Sequence, residues 1–204
     1  MLNEDEIKFV IIGQASVGKT SLLLRYFSNY FNEEEKTTLN SSCYEKTENY
    51  NGINFDIVFW DTLGQEKYYA LNRIYYQNAL GALIVYDLTK PETLGKVKTF
   101  VNTLKEVLGY NITYVVAGNK IDLIDKDKRD IIENKIREFQ QEEGFKHFFT
   151  SAKSGFNVQE AFNSLIQTVL KNVNINKIVI KKKQVRQLKI TDPEFEPLQK
   201  KKCC

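Results

Sequence analysis

The stretch GQASVGKT, residues 13–20, follows a short apolar run at residues 7–12 and precedes apolar residues at helical spacing. Its pattern, G-x-x-x-x-G-K-[ST] between a buried strand and a helix, is typical of a loop that binds phosphate groups. Glycines let the backbone curl so that successive N–H groups face the phosphate oxygens, assisted by the dipole of the following helix. We therefore predict that Lys19 reaches the β and γ phosphates of a nucleotide and that the Thr20 hydroxyl binds Mg²⁺. The alternative for this pattern alone is a glycine turn beside a surface lysine.

The residues after this loop predict a helix over residues 21–27 and an exposed loop over residues 28–42. Next comes Asn51-Gly52, a dipeptide that favours the positive φ angles of a tight hairpin turn. The strands on either side of this turn should therefore pair antiparallel, and they are predicted at residues 44–50 and 53–60.

Strand and helix patterns alternate along the rest of the chain. Strands are predicted at residues 82–86, 113–117 and 148–150, and amphipathic helices at residues 93–107, 128–141 and 158–170. This alternation predicts an α/β fold with a six-stranded, mostly parallel sheet, one antiparallel strand and helices on both faces. Together with the phosphate-binding pattern of residues 13–20, it predicts a P-loop NTPase fold. In such sheets ligands bind at the carboxyl ends of the strands, and the other functional motifs should lie there.

The segment Asn119-Lys120-Ile121-Asp122 follows the strand at residues 113–117 and indicates which base is bound. Guanine presents two adjacent donors, N1–H and the 2-amino group, that one carboxylate such as Asp122 can accept together, whereas adenine presents an acceptor at N1. Asn119 can donate to N7, and the backbone of residues 151–153 can offer an N–H to the guanine O6. In isolation the same segment also fits an Asn-Lys loop with an Asp that caps a helix.

A second group of polar residues follows the third predicted strand. Asp61 is positioned as a strand-end carboxylate that holds Mg²⁺, Gly64 can offer its N–H to a γ phosphate, and Gln65 would orient the attacking water. Phosphoryl transfer needs positioning and charge stabilisation more than a strong base. The single histidine, His147, lies at the start of a predicted strand, and we interpret it as structural.

Composition narrows the class of protein. The chain has 204 residues, 42% hydrophobic and 27% charged, which indicates one globular domain with an extension. No apolar stretch approaches the roughly 20 residues of a membrane span, and the acidic start has no signal core, so we expect a cytosolic origin. Three cysteines, two of them the terminal pair Cys203-Cys204, form no disulfide framework.

Charge separates the chain into two parts. From Lys177 onward there are nine basic and three acidic residues, a local balance of +6, which leaves −3 for residues 1–176. We predict a GTP-binding domain over residues 1–174 and a flexible basic tail over residues 175–204. The mildly acidic body argues against binding of nucleic acid.

The ordered motifs GQASVGKT, Thr38, WDTLGQE, GNKID and TSAK resemble those of a Ras-superfamily small GTPase, over about residues 7–172. Trp60, the pair Tyr75-Tyr76 and the terminal Cys-Cys are similar to the Rab branch, and Thr38-Leu39-Asn40 is similar to its endosomal subgroup. The resemblance implies a GTP/GDP switch in vesicle trafficking, with slow Mg²⁺-dependent hydrolysis.

The resemblance also implies a set of site residues. Nucleotide contacts are expected from Gly13, Ala15, Ser16, Val17, Gly18, Lys19, Thr20, Ser21, Phe31, Thr38, Gly64, Asn119, Lys120, Asp122, Ser151, Ala152 and Lys153, with Phe31 packing against guanine. The implied Mg²⁺ ligands are Thr20, Thr38 and Asp61, and the implied catalytic residues are Lys19 and Gln65. A hydrophobic surface for effectors would use Cys43, Trp60 and Tyr75.

The tail takes its function from the same resemblance. Rab tails are usually geranylgeranylated on both terminal cysteines, which implies prenyl escort and extraction proteins for Cys203 and Cys204. Two lipid chains and nearby lysines make a stable attachment to an anionic membrane. We expect a monomer on the cytosolic face of endomembranes, with exchange factors, GTPase-activating proteins and effectors as partners. An unmodified basic tail with two thiols is the alternative.

Leu63 departs from the family pattern, which normally has alanine there. A larger side chain beside the γ phosphate could displace Gly64 or Gln65 by about an ångström, and misplacement on that scale can cost roughly a hundredfold in rate. A second reading is therefore a membrane-attached interaction module that holds GTP and hydrolyses it poorly. Ala15, where many relatives have glycine, is a milder departure.

Overall fold

A computed structural model describes residues 6–34, 42–62 and 74–172. In chain order the elements are β1 (Glu6–Ile12), α1 (Lys19–Ser28), β2 (Ser42–Tyr50), β3 (Ile53–Asp61), β4 (Gly81–Asp87), α2 (Pro91–Gly95), α3 (Val97–Leu108), β5 (Thr113–Asn119), a 3₁₀ helix (Ile121–Leu123), α4 (Lys126–Glu143), β6 (Lys146–Phe149) and α5 (Val158–Asn172). Among these helices none is both long enough and apolar enough to span a bilayer.

The strands form one six-stranded sheet in the order β2-β3-β1-β4-β5-β6. β2 pairs antiparallel with β3, and the other neighbouring pairs are parallel. Asn51 and Gly52 join β2 to β3 with φ angles of 52° and 79°, as their residue types predict. The predicted mostly parallel sheet with one antiparallel strand is confirmed.

The apolar residues of the central strands are buried on both faces of the sheet. On one face Phe9 and Phe59 stack at 4.8 Å and pack against α1 and α5. On the other face Val10 and Ile84 pack against α3 and α4. Such a sheet needs nearly continuous apolar strands, which explains why residues 7–12 lack polar alternation.

Most predicted elements begin or end within about two residues of the observed ones, and two of the differences have a clear physical cause. The helix predicted at residues 93–107 is two helices, α2 and α3, which meet at Lys96. Pro91 starts α2, and the Thr93 hydroxyl donates to the Asp87 and Lys90 carbonyls, which fixes a separate first turn. The last strand is Lys146–Phe149 rather than residues 148–150, because its polar start still pairs with β5 from Val115 onward.

Candidate functional site

The predicted phosphate loop lies at the carboxyl end of β1 and leads into α1. Gly18 has a φ of +93°, and a Cβ there would lie 2.3 Å from Asn119 Nδ2. Gly13 has a φ of +151°, and a Cβ there would lie 2.2 Å from the Val85 carbonyl oxygen. Both glycines of the pattern are therefore required by backbone angle and by space.

Lys19 is the first residue of α1 and is 6% exposed. Its ammonium donates to the Gly13 carbonyl at 3.1 Å and to the Gln14 carbonyl at 2.9 Å. Burial lowers the pKa of Lys19 to about 8, although Asp61 acts to raise it. A buried ammonium therefore lies against the loop and remains mostly protonated at neutral pH.

The predicted metal ligands Thr20 and Asp61 meet between α1 and β3. The Thr20 hydroxyl donates to Asp61 Oδ2 at 2.6 Å, and Asp61 is fully buried. The neighbouring Thr62 hydroxyl donates to the Ile11 carbonyl at 2.7 Å, which holds the end of β3 against β1. A hydroxyl and a carboxylate are hard oxygen ligands of the kind Mg²⁺ binds, so the donor set fits the metal.

Asn119 connects the phosphate loop to the loop that follows β6. Its side chain, which is 1% exposed, donates to the Val17 carbonyl at 3.0 Å and accepts from the Ala152 N–H at 3.2 Å. The Ser151 hydroxyl donates to Asp122 Oδ1 at 2.5 Å, which orients that carboxylate. Asp122 lies inside the 3₁₀ helix and not at a helix cap, so the capping alternative does not describe it.

Lys120 makes a second connection, and its partner was not predicted. Its ammonium donates to the Ser16 carbonyl at 2.9 Å and to Asp87 Oδ2 at 2.6 Å. Burial acts to raise the pKa of Asp87, but hydrogen bonds from Lys120 and Thr89 outweigh it and hold the pKa below its usual value. A strand-end aspartate beside a lysine carries no spacing signal of its own, so sequence reasoning missed Asp87.

The predicted nucleotide-binding residues of the described ranges thus gather at the carboxyl edge of the sheet. They belong to the β1–α1 loop and first turn (Gly13, Ala15, Ser16, Val17, Gly18, Lys19, Thr20, Ser21), the segment after α1 (Phe31), the end of β5 and the adjoining 3₁₀ helix (Asn119, Lys120, Asp122), and the loop after β6 (Ser151, Ala152, Lys153). Thr38, Leu63, Gly64, Gln65, Cys203 and Cys204 lie outside the described residues.

Comparison with known proteins agrees with this arrangement. Residues 8–171 match the model of the Ras family. The chain belongs to the Ras family. The Ras-related protein Rab-21 of the sponge Geodia cydonium is 42% identical over 163 residues, which cover 80% of this chain and 70% of the sponge protein. Human Rab-21 is 38% identical over 169 residues, covering 83% and 74%, and Dictyostelium discoideum Rab-21 is 36% identical over 170 residues, covering 83% and 79%.

These relatives confirm the predicted Rab-type small GTPase. This GTPase binds GTP and GDP with Mg²⁺, hydrolyses GTP, responds to regulators and effectors, and, as a Rab-type member, acts in vesicle trafficking on endomembranes. The alternative of a GTP-holding module with impaired hydrolysis is not favoured by this membership.

The three residues predicted for the effector surface of this GTPase lie together on the β2–β3 side. Cys43 is opposite Trp60 in the antiparallel pair, and the Trp60 and Tyr75 rings are 6.1 Å apart between centroids. The Lys8 ammonium lies 4.6 Å from the centre of the Trp60 ring and donates to the Gln77 carbonyl. Lys8, which belongs to β1, thus links that strand to the group formed by Cys43, Trp60 and Tyr75.

His147 lies in β6, and its Nε2 is 3.0 Å from the Tyr86 hydroxyl. Burial lowers the pKa of His147 to about 4 and raises that of Tyr86. The imidazole therefore stays neutral at physiological pH, and its hydrogen bond joins β4 to β6 across β5. This geometry agrees with a structural role and not with acid–base chemistry.

Proposed function

We propose that this GTPase is a GTP/GDP switch whose nucleotide lies along the loops at the carboxyl edge of the sheet. The observation that carries the proposal is the pair Asn119 and Lys120, which join the phosphate loop to the segments beside β5 and β6. Guanine would be read by Asp122 from one side and by the backbone of residues 151–153 from the other. Phe31 would cover the base, since it lies partly buried at the same rim.

The proposed metal site uses Thr20 and Asp61, with Thr38 as a ligand supplied by the loop predicted over residues 28–42. When bound, Mg²⁺ would neutralise the charge of the β and γ phosphates. Lys19 would hold the same phosphates, Gly64 would offer its N–H to the γ phosphate, and Gln65 would orient the attacking water. Loss of the γ phosphate would release the segments around Thr38 and Gln65, which is how effectors would distinguish the two states.

Intrinsic hydrolysis is expected to be slow, because an arginine that stabilises the transition state is normally supplied by a partner. The described ranges 6–34, 42–62 and 74–172 contain three arginines, and none of them lies in the β1–α1 loop. Arg25 is engaged with the carbonyls of Ala152 and Lys153, the Arg129 guanidinium lies 5.2 Å from the Phe149 ring centre, and Arg137 is exposed on α4.

Hydrolysis by the wild type and by Leu63→Ala tests this proposal against the GTP-holding alternative. In single-turnover reactions of Mg²⁺-GTP, we expect slow hydrolysis by both proteins, with rates within about threefold, because Gln65 and the proposed metal ligands are the same in both. Gln65→Leu should lose about tenfold or more, and ATP should not bind. Tight GTP binding with turnover only in the alanine variant would instead favour the alternative.

We also propose that the GTP-binding domain spans residues 1–174 and that residues 175–204 are a flexible tail lipidated at Cys203 and Cys204. The nine basic residues from Lys177 onward would assist binding to an anionic leaflet. Prenyl escort and extraction proteins are the implied partners. The endosomal membrane is the proposed location, supported by the Thr38-Leu39-Asn40 segment and by the Rab-21 relatives.

Removing the terminal thiols should separate membrane attachment from nucleotide binding. A Cys203→Ser/Cys204→Ser variant should move from the membrane pellet to the cytosolic fraction, since the basic residues of the tail alone lack the lipid chains that stable anchoring requires. Its GDP affinity should stay within about twofold, because the tail contributes nothing to the proposed site. Cys43→Ser is the matched control and should stay in the pellet. Persistence of the double variant in the pellet would contradict the lipid anchor.

A further inference from the structure

Arg25, in the last turn of α1, is hydrogen-bonded through all three of its guanidinium nitrogens. Nε donates to the Ala152 carbonyl at 2.8 Å and Nη2 donates to the Lys153 carbonyl at 2.8 Å. Nη1 donates to the Asn29 carbonyl and to Asn29 Oδ1, both at 2.9 Å. A rigid fork of donors thus holds two consecutive carbonyls of a loop that is 127 residues away in the sequence.

Holding these carbonyls fixes the direction of the neighbouring N–H groups. In a planar trans peptide the C=O of one residue and the N–H of the next point to opposite sides. With the Ala152 carbonyl directed at α1, the Lys153 N–H is directed away from α1. The peptide between Lys153 and Ser154 has the same orientation. Its carbonyl faces Arg25, and its N–H, from Ser154, donates to the Ser151 hydroxyl at 3.0 Å on the inner side of the loop.

The inner side of this loop already carries one donor of the same orientation. The Ala152 N–H points to Asn119 Oδ1 at 3.2 Å, and Ser151 contacts Asp122. The loop therefore presents its N–H groups toward the residues proposed to surround guanine and its carbonyls toward Arg25. A base oxygen at this edge would be recognised by donors whose direction Arg25 sets.

A second connection reaches the same loop but is weaker. Lys153 forms an ion pair with Glu33, and their side chains are 55% and 67% exposed. Exposed pairs of this kind contribute little because water screens them. Arg25 also lies 6.0 Å from the centre of the Phe31 ring, so the same guanidinium contacts the side chain proposed to cover the base.

We propose that Arg25 is a specificity-determining positioning residue that aims the backbone N–H of Lys153 at the guanine O6. The proposal rests on the proposed assignment of residues 151–153 to the base. Arg25 itself does not touch the nucleotide. Its effect should therefore depend on whether the base has an oxygen at position 6.

Three nucleotides separate this role from a loss of stability. GDP and inosine diphosphate both have O6, whereas the diphosphate of 2-aminopurine riboside lacks it. For Arg25→Met, which keeps the apolar stem, we expect the dissociation constants of GDP and inosine diphosphate to rise about tenfold. The dissociation constant of the 2-aminopurine nucleotide should rise by no more than about twofold. Arg25→Lys, with one ammonium for two carbonyls, should lie between the wild type and Arg25→Met.

Gln159→Ala is the matched control, because the Gln159 Nε2 hydrogen bond ties α5 to α1 at the Tyr26 carbonyl, at 3.3 Å, and not to the carbonyls that Arg25 holds. This variant should leave the three dissociation constants unchanged. If Arg25→Met weakens all three nucleotides equally, or none of them, Arg25 has only a structural role and the proposal is overturned. If the wild type does not distinguish GDP from the 2-aminopurine nucleotide, the assignment of residues 151–153 fails as well.

Discussion

An Asn119→Ile variant should bind GDP about a hundredfold more weakly than the wild type, or worse. The isoleucine cannot donate to the Val17 carbonyl or accept from the Ala152 N–H, which the asparagine does at 3.0 and 3.2 Å. Each buried polar group left without its partner costs about 1–3 kcal/mol, so two such groups destabilise the loop arrangement that binds the base by about 2–6 kcal/mol. The apparent affinity falls by the same factor as the population of that arrangement. Since about 1.4 kcal/mol is a factor of ten in affinity, the lower half of this range already reaches a hundredfold.

Displacement of a fluorescent GDP analogue measures this loss directly. Asn102→Ile is the control, because Asn102 is exposed on α3 and its replacement should leave the affinity within about twofold. The circular dichroism of each variant at the assay temperature separates weak binding from unfolding, because it reports the fold without depending on the dissociation constant. Nanomolar affinity in Asn119→Ile would contradict the assignment of this residue to the site.

The phosphate-binding part and the base-binding part of the candidate site could both be predicted from the sequence, because each is a short motif with its own chemistry. The spacing of Gly18, Lys19 and Thr20 is required by the curl of one loop, and Asp122 is predicted from the pair of donors that guanine presents. Such local requirements can be read without knowing which segments are neighbours. The strand order then brought the motifs to one edge, as expected for the carboxyl ends of parallel strands.

The contacts that hold the phosphate-binding part and the base-binding part together were not predicted. Arg25 binds backbone carbonyls, which are present at every position and give no sequence signal. Asp87 is paired with Lys120, 33 residues along the chain, and nothing in either residue type specifies the other. The start of β6 was missed for a related reason, because Lys146 and His147 interrupt an apolar pattern even though their backbone pairs with β5.

The other large effect is expected for Lys19→Ala, which removes the buried ammonium from the phosphate loop. At an effective dielectric constant near 20, a unit charge about 4 Å from a phosphate oxygen contributes about 4 kcal/mol. The variant should therefore lose about a thousandfold in affinity for GDP and GTP. It also leaves the Gly13 and Gln14 carbonyls without this donor.

Lys8→Ala tests whether the loss comes from the position of the charge or from removing any buried lysine. Lys8 is 5% exposed, donates to the Gln77 carbonyl and contacts Trp60, so it resembles Lys19 in burial and in bonding to a carbonyl. It lies at the opposite end of β1 from the phosphate loop, so its removal should reduce stability and leave the nucleotide affinity within about threefold. Equal losses of affinity in the two variants would mean that a general loosening of the fold, and not the phosphate contact, explains the effect of Lys19.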